Sequence, residues 1–252
     1  MKCFVAIDCP FWSVDGDAGS VSIAATSGSF GRTPNSSALE NRIESEVAMR
    51  IDGLGFIDGE TQTVRVGSPA ISVRSYLVDY FGSYKSSMID DQLRRFGYIG
   101  SGEYVFDSLD DLRDPVSVAS TFSMDPVTNF PGPGAMTVPV GLAPGRIASL
   151  AWLTPHAEYD LPFYCGSYSH RDRYTIVFPD AVKVTRLPPN QWFAAGGHIY
   201  YASYRQDGQT IFVERELMVD RPSAVCQPGD EKPFNEMLSV IQRDLRGQIF
   251  YQ

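Results

Sequence analysis

Thiols and imidazoles are the side chains of this sequence with the widest range of chemistry. A cysteine nucleophile needs a depressed pKa and a base within hydrogen-bond reach. The chain offers four cysteines, Cys3, Cys9, Cys165 and Cys226, and three histidines, His156, His170 and His198. Cys165 and His170 are the nearest pair in the second half, but their spacing prescribes no contact on a strand or loop. No glycine turn or helix start follows either Cys165 or Cys226 in a pattern that would build an oxyanion hole. A cryptic Cys-dependent hydrolase or transferase therefore stands as an alternative, and the cysteines are too sparse for a zinc site or a disulfide scaffold. Four ordinary thiols compete with a Cys165–Cys226 bridge, which would need an oxidising compartment; sequence does not choose among the pairings. The acidic run Asp107 to Asp114 has neither the glycine bend nor the terminal Glu of a calcium loop and reads as a solvated turn, so no metal is expected.

Binding chemistry has two candidates. His170-Arg171-Asp172-Arg173 reads as a solvated charge run at the start of a strand, with an anion held by Arg171 and Arg173 as the sharper reading. Trp192, Tyr200 and Tyr204 could stack on a sugar ring or anchor a partner protein. On a strand Tyr200 and Tyr204 share one face and Tyr201 takes the other, so core packing accounts for part of this cluster. Acid–base carboxylate pairs meet only in space and leave no signal here.

These residues must be positioned by strands. The 252 residues are 43% hydrophobic and 12% aromatic, enough for a substantial core. The formal charge of −9 argues against a nucleic-acid surface or an anionic membrane. No run approaches the length of a membrane span, and Asp8 interrupts Met1–Ile7 before it could make a signal-peptide core.

Residues 1–40, rich in Ser, Gly and Thr after a short strand at Cys3–Ile7, are expected to be extended and linker-like. Asn41 to Arg50 and Thr61 to Val66 alternate as strands. Helical spacing follows over Pro69–Phe81, with Gly82 as a stop, and again over Ser87–Phe96. Strands are expected at Glu103–Phe106, Val116–Ser123 and Arg146–Leu153, the last two separated by a Pro/Gly-rich connection. Tyr174–Val219 reads as an antiparallel meander with strands at Tyr174–Phe178 and Ala181–Leu187 and a long hairpin about Gln206-Asp207-Gly208-Gln209. A last helix from about Pro233 carries Phe234, Met237, Leu238, Ile241 and Leu245 on one face. The fold class is mainly β with a few helices (α+β): two β-rich modules, 41–153 and 154–252, with sandwich-like antiparallel lobes.

Three stretches share an order of features with a known family: Arg173-Tyr174-Thr175-Ile176-Val177-Phe178-Pro179, then Val184-Thr185-Arg186-Leu187-Pro188, then Thr210 to Arg215. With the final helix, these resemble the C-terminal β-rich domain of bacterial multidomain transglutaminase-like proteins. Arg32-Thr33-Pro34-Asn35-Ser36-Ser37 with Glu40-Asn41-Arg42 resembles the segment joining the papain-like core to that domain. The resemblance implies a non-catalytic accessory module without cofactor, positioning or binding a transglutaminase-like core or another protein in cis or in trans; the aromatic cluster adds a glycan as a further ligand class. It implies a periplasmic or envelope location, although no signal peptide is read here. The family's Cys-His-Asp core would precede residue 1. Asp8 falls where its last triad residue could sit, but reads more readily as a strand end.

Overall fold

The computed structural model describes residues 35–252, apart from 107–108, 110–114, 127–129 and 131 and the side chains of 78–87. Cys3, Cys9, Asp8 and nearly all of the Asp107–Asp114 run lie outside the described residues.

Alternation of apolar and polar side chains produces most of the strands. In chain order they are β1 (Arg42–Ile51), β2 (Ile57–Val66), β3 (Gly100–Phe106), β4 (Val116–Met124), β5 (Gly134–Thr137), β6 (Phe163–Tyr164) and β7 (Tyr168–Val177). β8 (Val184–Arg186), β9 (Gln191–Ala195), β10 (His198–Asp207), β11 (Thr210–Val219), β12 (Val225–Cys226) and β13 (Gln248–Tyr251) complete the set. Among the described residues two α-helices, α1 (Ser68–Arg95) and α2 (Lys232–Leu245), and a 3₁₀ turn at Ile147–Trp152 join them. The protein is a mainly β, α+β fold.

One eight-stranded sheet, ordered β3-β4-β2-β1-β7-β11-β10-β9, dominates. Its neighbours are antiparallel except β1 and β7, which run parallel in the register Ser45↔Asp172 and Val47↔Tyr174. Segments from either side of residue 153 therefore share one sheet, which is mainly antiparallel with a single parallel seam between β1 and β7. The hairpin at 206–209 is as read: Asp207 pairs with Thr210 and Gly208 turns at φ 57°. The meander is not. β8 leaves the main sheet and pairs with β13 in a three-stranded sheet, β5-β13-β8.

The large sheet buries one face. On β1, Ile43, Ser45, Val47, Met49 and Ile51 point inward, while on β11 Ile211, Val213, Arg215, Leu217 and Val219 do so. α2 closes one end by laying Phe234, Met237, Leu238 and Ile241 on Tyr200, Ala202, Leu217 and Val219. α1 brings Ala70, Leu77, Ile89 and Leu93 to the other end, against Val47, Ile57 and Val118. It runs unbroken through Gly82 for 28 residues, where two helices were expected. An interior glycine costs a helix only about 1 kcal/mol, so it does not enforce a stop when the flanking turns are packed. The strand expected over 146–153 is instead the 3₁₀ turn at Ile147–Trp152: Ile147, Ala148 and Leu150 are all buried, a spacing that alternation cannot produce.

The inward row of β7 is unexpectedly polar: His170 and Asp172 are both fully buried ahead of Tyr174 and Ile176. Gly145 passes directly over Asp172, and a Cβ at that position would overlap the carboxylate. Gly145→Ala is expected to destabilise the fold by about 1–3 kcal/mol through overpacking, measured by urea unfolding. A loss below about 0.5 kcal/mol, the scale of an ordinary surface change, would show that this approach is not maintained in solution.

Candidate functional site

A cleft of about 80 Å³ opens where the first turn of α2 meets the ends of β7, β10 and β11. Its outer wall, Phe163 to Gly166, comes from a two-stranded clip in which β6 and β12 pair Tyr164 with Val225 and Phe163 with Cys226. Cys165 and Cys226 are joined as a disulfide, and the Cys165 N–H donates to the Ala224 carbonyl at 2.9 Å. Strands of two residues cannot hold a register by themselves, so the covalent bridge fixes this wall. Tyr168, Val219 and Phe234 supply apolar surface on the inner side. The volume exceeds what one water needs, roughly 10–15 Å³, and suits a small apolar group.

Arg221 organises the polar part. Its backbone N–H donates to Ser167 Oγ at 2.9 Å, and its terminal NH2 donates to His198 Nε2 at 3.0 Å and to the Asp230 carbonyl at 2.8 Å. Arginine has only donors to offer, so Nε2 of His198 accepts. Nδ1 therefore carries the ring proton and donates to the Gly196 carbonyl at 3.1 Å. Burial first, and the Arg221 charge second, push the His198 pKa down to about 4. This imidazole is neutral and both its nitrogens are engaged, so it is a strut rather than a base.

His156 is fixed on the opposite side. Its backbone N–H donates to Asn235 Oδ1 at 2.8 Å and its carbonyl accepts from Asn235 Nδ2 at 2.9 Å, while its ring lies 4.9 Å from that of Phe234. Burial lowers its pKa and the Glu231 charge opposes that shift. Glu231, at the start of α2, is 3% exposed. Its Oε2 accepts the Gly229 N–H at 2.8 Å. Its Oε1, like Arg221 Nε, is buried and has no hydrogen-bond partner among the described residues. With both nearby sulfurs in a disulfide, the cleft presents no thiolate.

The residues singled out from sequence lie elsewhere. Tyr200 is fully buried and donates to Asp244 Oδ2 at 2.8 Å; Tyr204 donates to Asp244 Oδ1 at 2.7 Å. Both belong to the core, as their shared strand face requires. Trp192 is 66% exposed on the edge strand β9, edge-on to Tyr201 at 6.2 Å. The aromatic surface is thus this pair, without Tyr200 and Tyr204. Arg171 and Arg173 stand on the outer face of the sheet, engaged with carboxylates: Arg171 with Glu216 at 3.1 Å, and Arg173 with Glu214 and Glu46, each at 3.2 Å. These pairs cross strands β7/β11 and β7/β1, which explains the charge run without an anionic ligand. Such exposed pairs contribute little: Arg173→Ala is expected to cost under about 1 kcal/mol in chemical denaturation. A loss of several kcal/mol would show the outer ladder to be a structural network.

Sequence reasoning missed Arg221, Glu231 and Phe234 as cleft residues. Phase on α2 marks Phe234 as inward, but not as part of a cleft. Nothing local marks the others, because the cleft is assembled from segments around 156, 165, 198, 221 and 231.

No family model and no curated protein matches this chain. Among solved structures, "a putative protease from Parabacteroides distasonis" is similar over 48% of this chain and 24% of that one, at 17% identity and a TM-score of 0.37. A likeness of that size supports neither a fold assignment nor a function. Among the described residues no cluster of three or more His, Cys, Asp and Glu could hold a metal, and no helix is long and apolar enough to cross a membrane.

Proposed function

We propose that this chain is a non-catalytic binding module that holds a short segment of a partner polypeptide, or a small ligand of like chemistry, in the cleft beside the disulfide. The resemblance to the terminal β-domain of transglutaminase-like proteins is consistent with such an accessory role, with the partner a papain-like core or another protein. The observation that carries the proposal is the cleft's construction. Its walls are fixed by the Cys165–Cys226 bridge and by the hydrogen bonds of Arg221, and Tyr168, Val219 and Phe234 give it an apolar interior. Pre-formed apolar concavities with a few oriented polar groups are what binding sites require. The thiols of Cys165 and Cys226 are consumed by the bridge, which leaves the Cys-dependent alternative only Cys3 and Cys9.

The test is amide chemical-shift mapping of the isotope-labelled protein with benzylamine, benzoate and phenol. At least one is expected to shift residues 163–168, 219–221 and 230–234 saturably. Shifts scattered over the outer sheet face, or none with any of the three, would overturn the reading.

A further inference from the structure

β9 ends the large sheet, and among the described residues only β10 pairs with it. Antiparallel pairing alternates which residues exchange bonds with a given neighbour. The Gly196-Gly197 turn closes on Ala195 and His198, so Gln191, Phe193 and Ala195 bond to Ala202, Tyr200 and His198. The backbone N–H and C=O groups of Trp192 and Ala194 therefore point away from the sheet. β10 has the same phase: its turn onto β11 closes at Asp207 and Thr210, which leaves its even-numbered residues to β9.

An open edge is a template for another strand, and folds ordinarily blunt it with charge, proline or a bulge. β9 has none of these: Gln-Trp-Phe-Ala-Ala pairs in unbroken register. Its outer face is apolar, with Trp192 and Ala194 exposed beside Ile199 and Tyr201. β3, at the opposite edge, carries Glu103 at its centre, so two copies joined there would set like charges face to face.

α2 runs along β9 in the opposite direction, from Pro233 beside Gly196 to Gly247, just past its end, beside Pro188. On one side of it Asn235 and Gln242 bond the His156 backbone and the carbonyls of Leu150 and Leu153. Glu236, Val240 and Arg243 recur at i, i+4 and i+7 on the other side, toward the open edge. Glu236 and Arg243 are exposed and Val240 is half-buried.

We propose that β9 pairs antiparallel with β9 of a second copy of this chain, about a two-fold axis at Phe193. Trp192 and Ala194 of each copy then exchange both backbone bonds with Ala194 and Trp192 of the other, and each indole covers the other copy's Ala194. The contact is self-complementary, as a two-fold interface must be. α2 lies over β9 and β10. With strands about 4.8 Å apart, the two copies of α2 run antiparallel roughly 10 Å apart, the spacing of packed helices. Their Val240 side chains meet near the axis, and Glu236 of each comes within reach of the other's Arg243. The cleft lies on the Asn235 side of α2, away from this seam, so the dimer leaves it open and the proposal is independent of what the cleft binds.

Sedimentation velocity of the full chain at concentrations up to about 100 μM tests this on the wild type, Ala194→Glu, Glu236→Arg and the double variant Glu236→Arg/Arg243→Glu. The wild type is expected to sediment as a dimer. Ala194→Glu sets a carboxylate against the other copy's indole and should weaken the dimer at least about tenfold, with the cooperativity of thermal unfolding unchanged. Glu236→Arg faces Arg243 with a like charge and should weaken it too, and adding Arg243→Glu should restore it. This swap, on the exposed side of α2, keeps the test decisive if Ala194→Glu fails to fold. A monomer at every concentration overturns the proposal, whether another strand covers β9 or none does. So does a dimer that a folded Ala194→Glu leaves intact. A double variant no tighter than Glu236→Arg overturns the antiparallel pairing of α2, and with it the axis at Phe193.

Discussion

Replacing Asp244 by Leu should destabilise the protein by about 3–5 kcal/mol, lowering its melting temperature by roughly 10 °C for a chain of this size. Asp244 is 2% exposed on the inner face of α2 and accepts from Arg215 Nε at 2.7 Å, from Tyr200 at 2.8 Å and from Tyr204 at 2.7 Å. Arg215 NH2 also donates to the Tyr204 hydroxyl at 3.0 Å. Four side chains from β10, β11 and α2 thus share one buried network. Removing the carboxylate strands a guanidinium and two hydroxyls away from water. Removing both charges leaves no orphaned ion, so Arg215→Met combined with Asp244→Leu should cost less than the sum of the singles by at least about 2 kcal/mol. Urea unfolding of the four proteins measures this. Additive losses would mean the network is not coupled, and that α2 is held by its apolar stripe alone.

The second large effect is a pH dependence centred on Asp172. Burial raises its pKa to about 7 against the attraction of Arg215 and Arg65, and neither carboxylate oxygen has a hydrogen-bond partner among the described residues. An unfolded chain releases this proton near the ordinary 3.8. The folded state therefore binds the proton more tightly. The stability this contributes is full below the unfolded value and is lost as pH rises through about 7. His170, two residues away on the same face, works in the opposite sense. Burial, with Arg146 and Arg65 nearby, lowers its pKa to about 3 from 6.5, so its contribution is full above 6.5 and is lost on acidification. His198, lowered to about 4, behaves likewise.

In the wild type these slopes partly cancel. In Asp172→Asn the opposing slope is gone. Relative to the wild type, the variant should gain up to about 4 kcal/mol between pH 4 and pH 8. Its stability should also climb more steeply than the wild type's between about pH 4.5 and 6.5, with the constant cost of the amide cancelling from the comparison. Denaturant midpoints of both proteins across this range are the measurement. Parallel profiles would show that Asp172 ionises normally and that its surroundings are wetter than the structure depicts.

How far the sequence could be read depends on how local each signal is. The alternation of Ile43, Val47 and Met49, the Asp207-Gly208 turn and the stripe Phe234, Met237, Leu238, Ile241 each lie within one element, and each element is present. The parallel pairing of β1 with β7 joins residues more than a hundred positions apart. No pattern inside either strand distinguishes a parallel from an antiparallel neighbour. β8 was expected in the meander because Val184–Leu187 alternates, but its partner, β13, lies at the far end of the chain beyond the last helix. The charge run at 170–173 was read as wholly solvated. Period two splits it: Arg171 and Arg173 face water, whereas His170 and Asp172 share a face with Tyr174 and Ile176. That phase was visible and is the one sign that could have found the buried pair. The cleft left no comparable trace, since its histidines, Arg221 and Glu231 meet only after the clip, the sheet and α2 have packed.

The central claim is that the cleft beside the Cys165–Cys226 bridge is a binding site. A crystal structure of the protein grown with Leu-Gly-Gly amide, in a lattice that leaves this cleft open to solvent, tests it most directly. The account predicts peptide density between Phe234 and the Phe163–Gly166 wall, with the disulfide intact. Peptide bound instead on the Trp192 edge or the outer charged face, with the cleft holding only water, would contradict it.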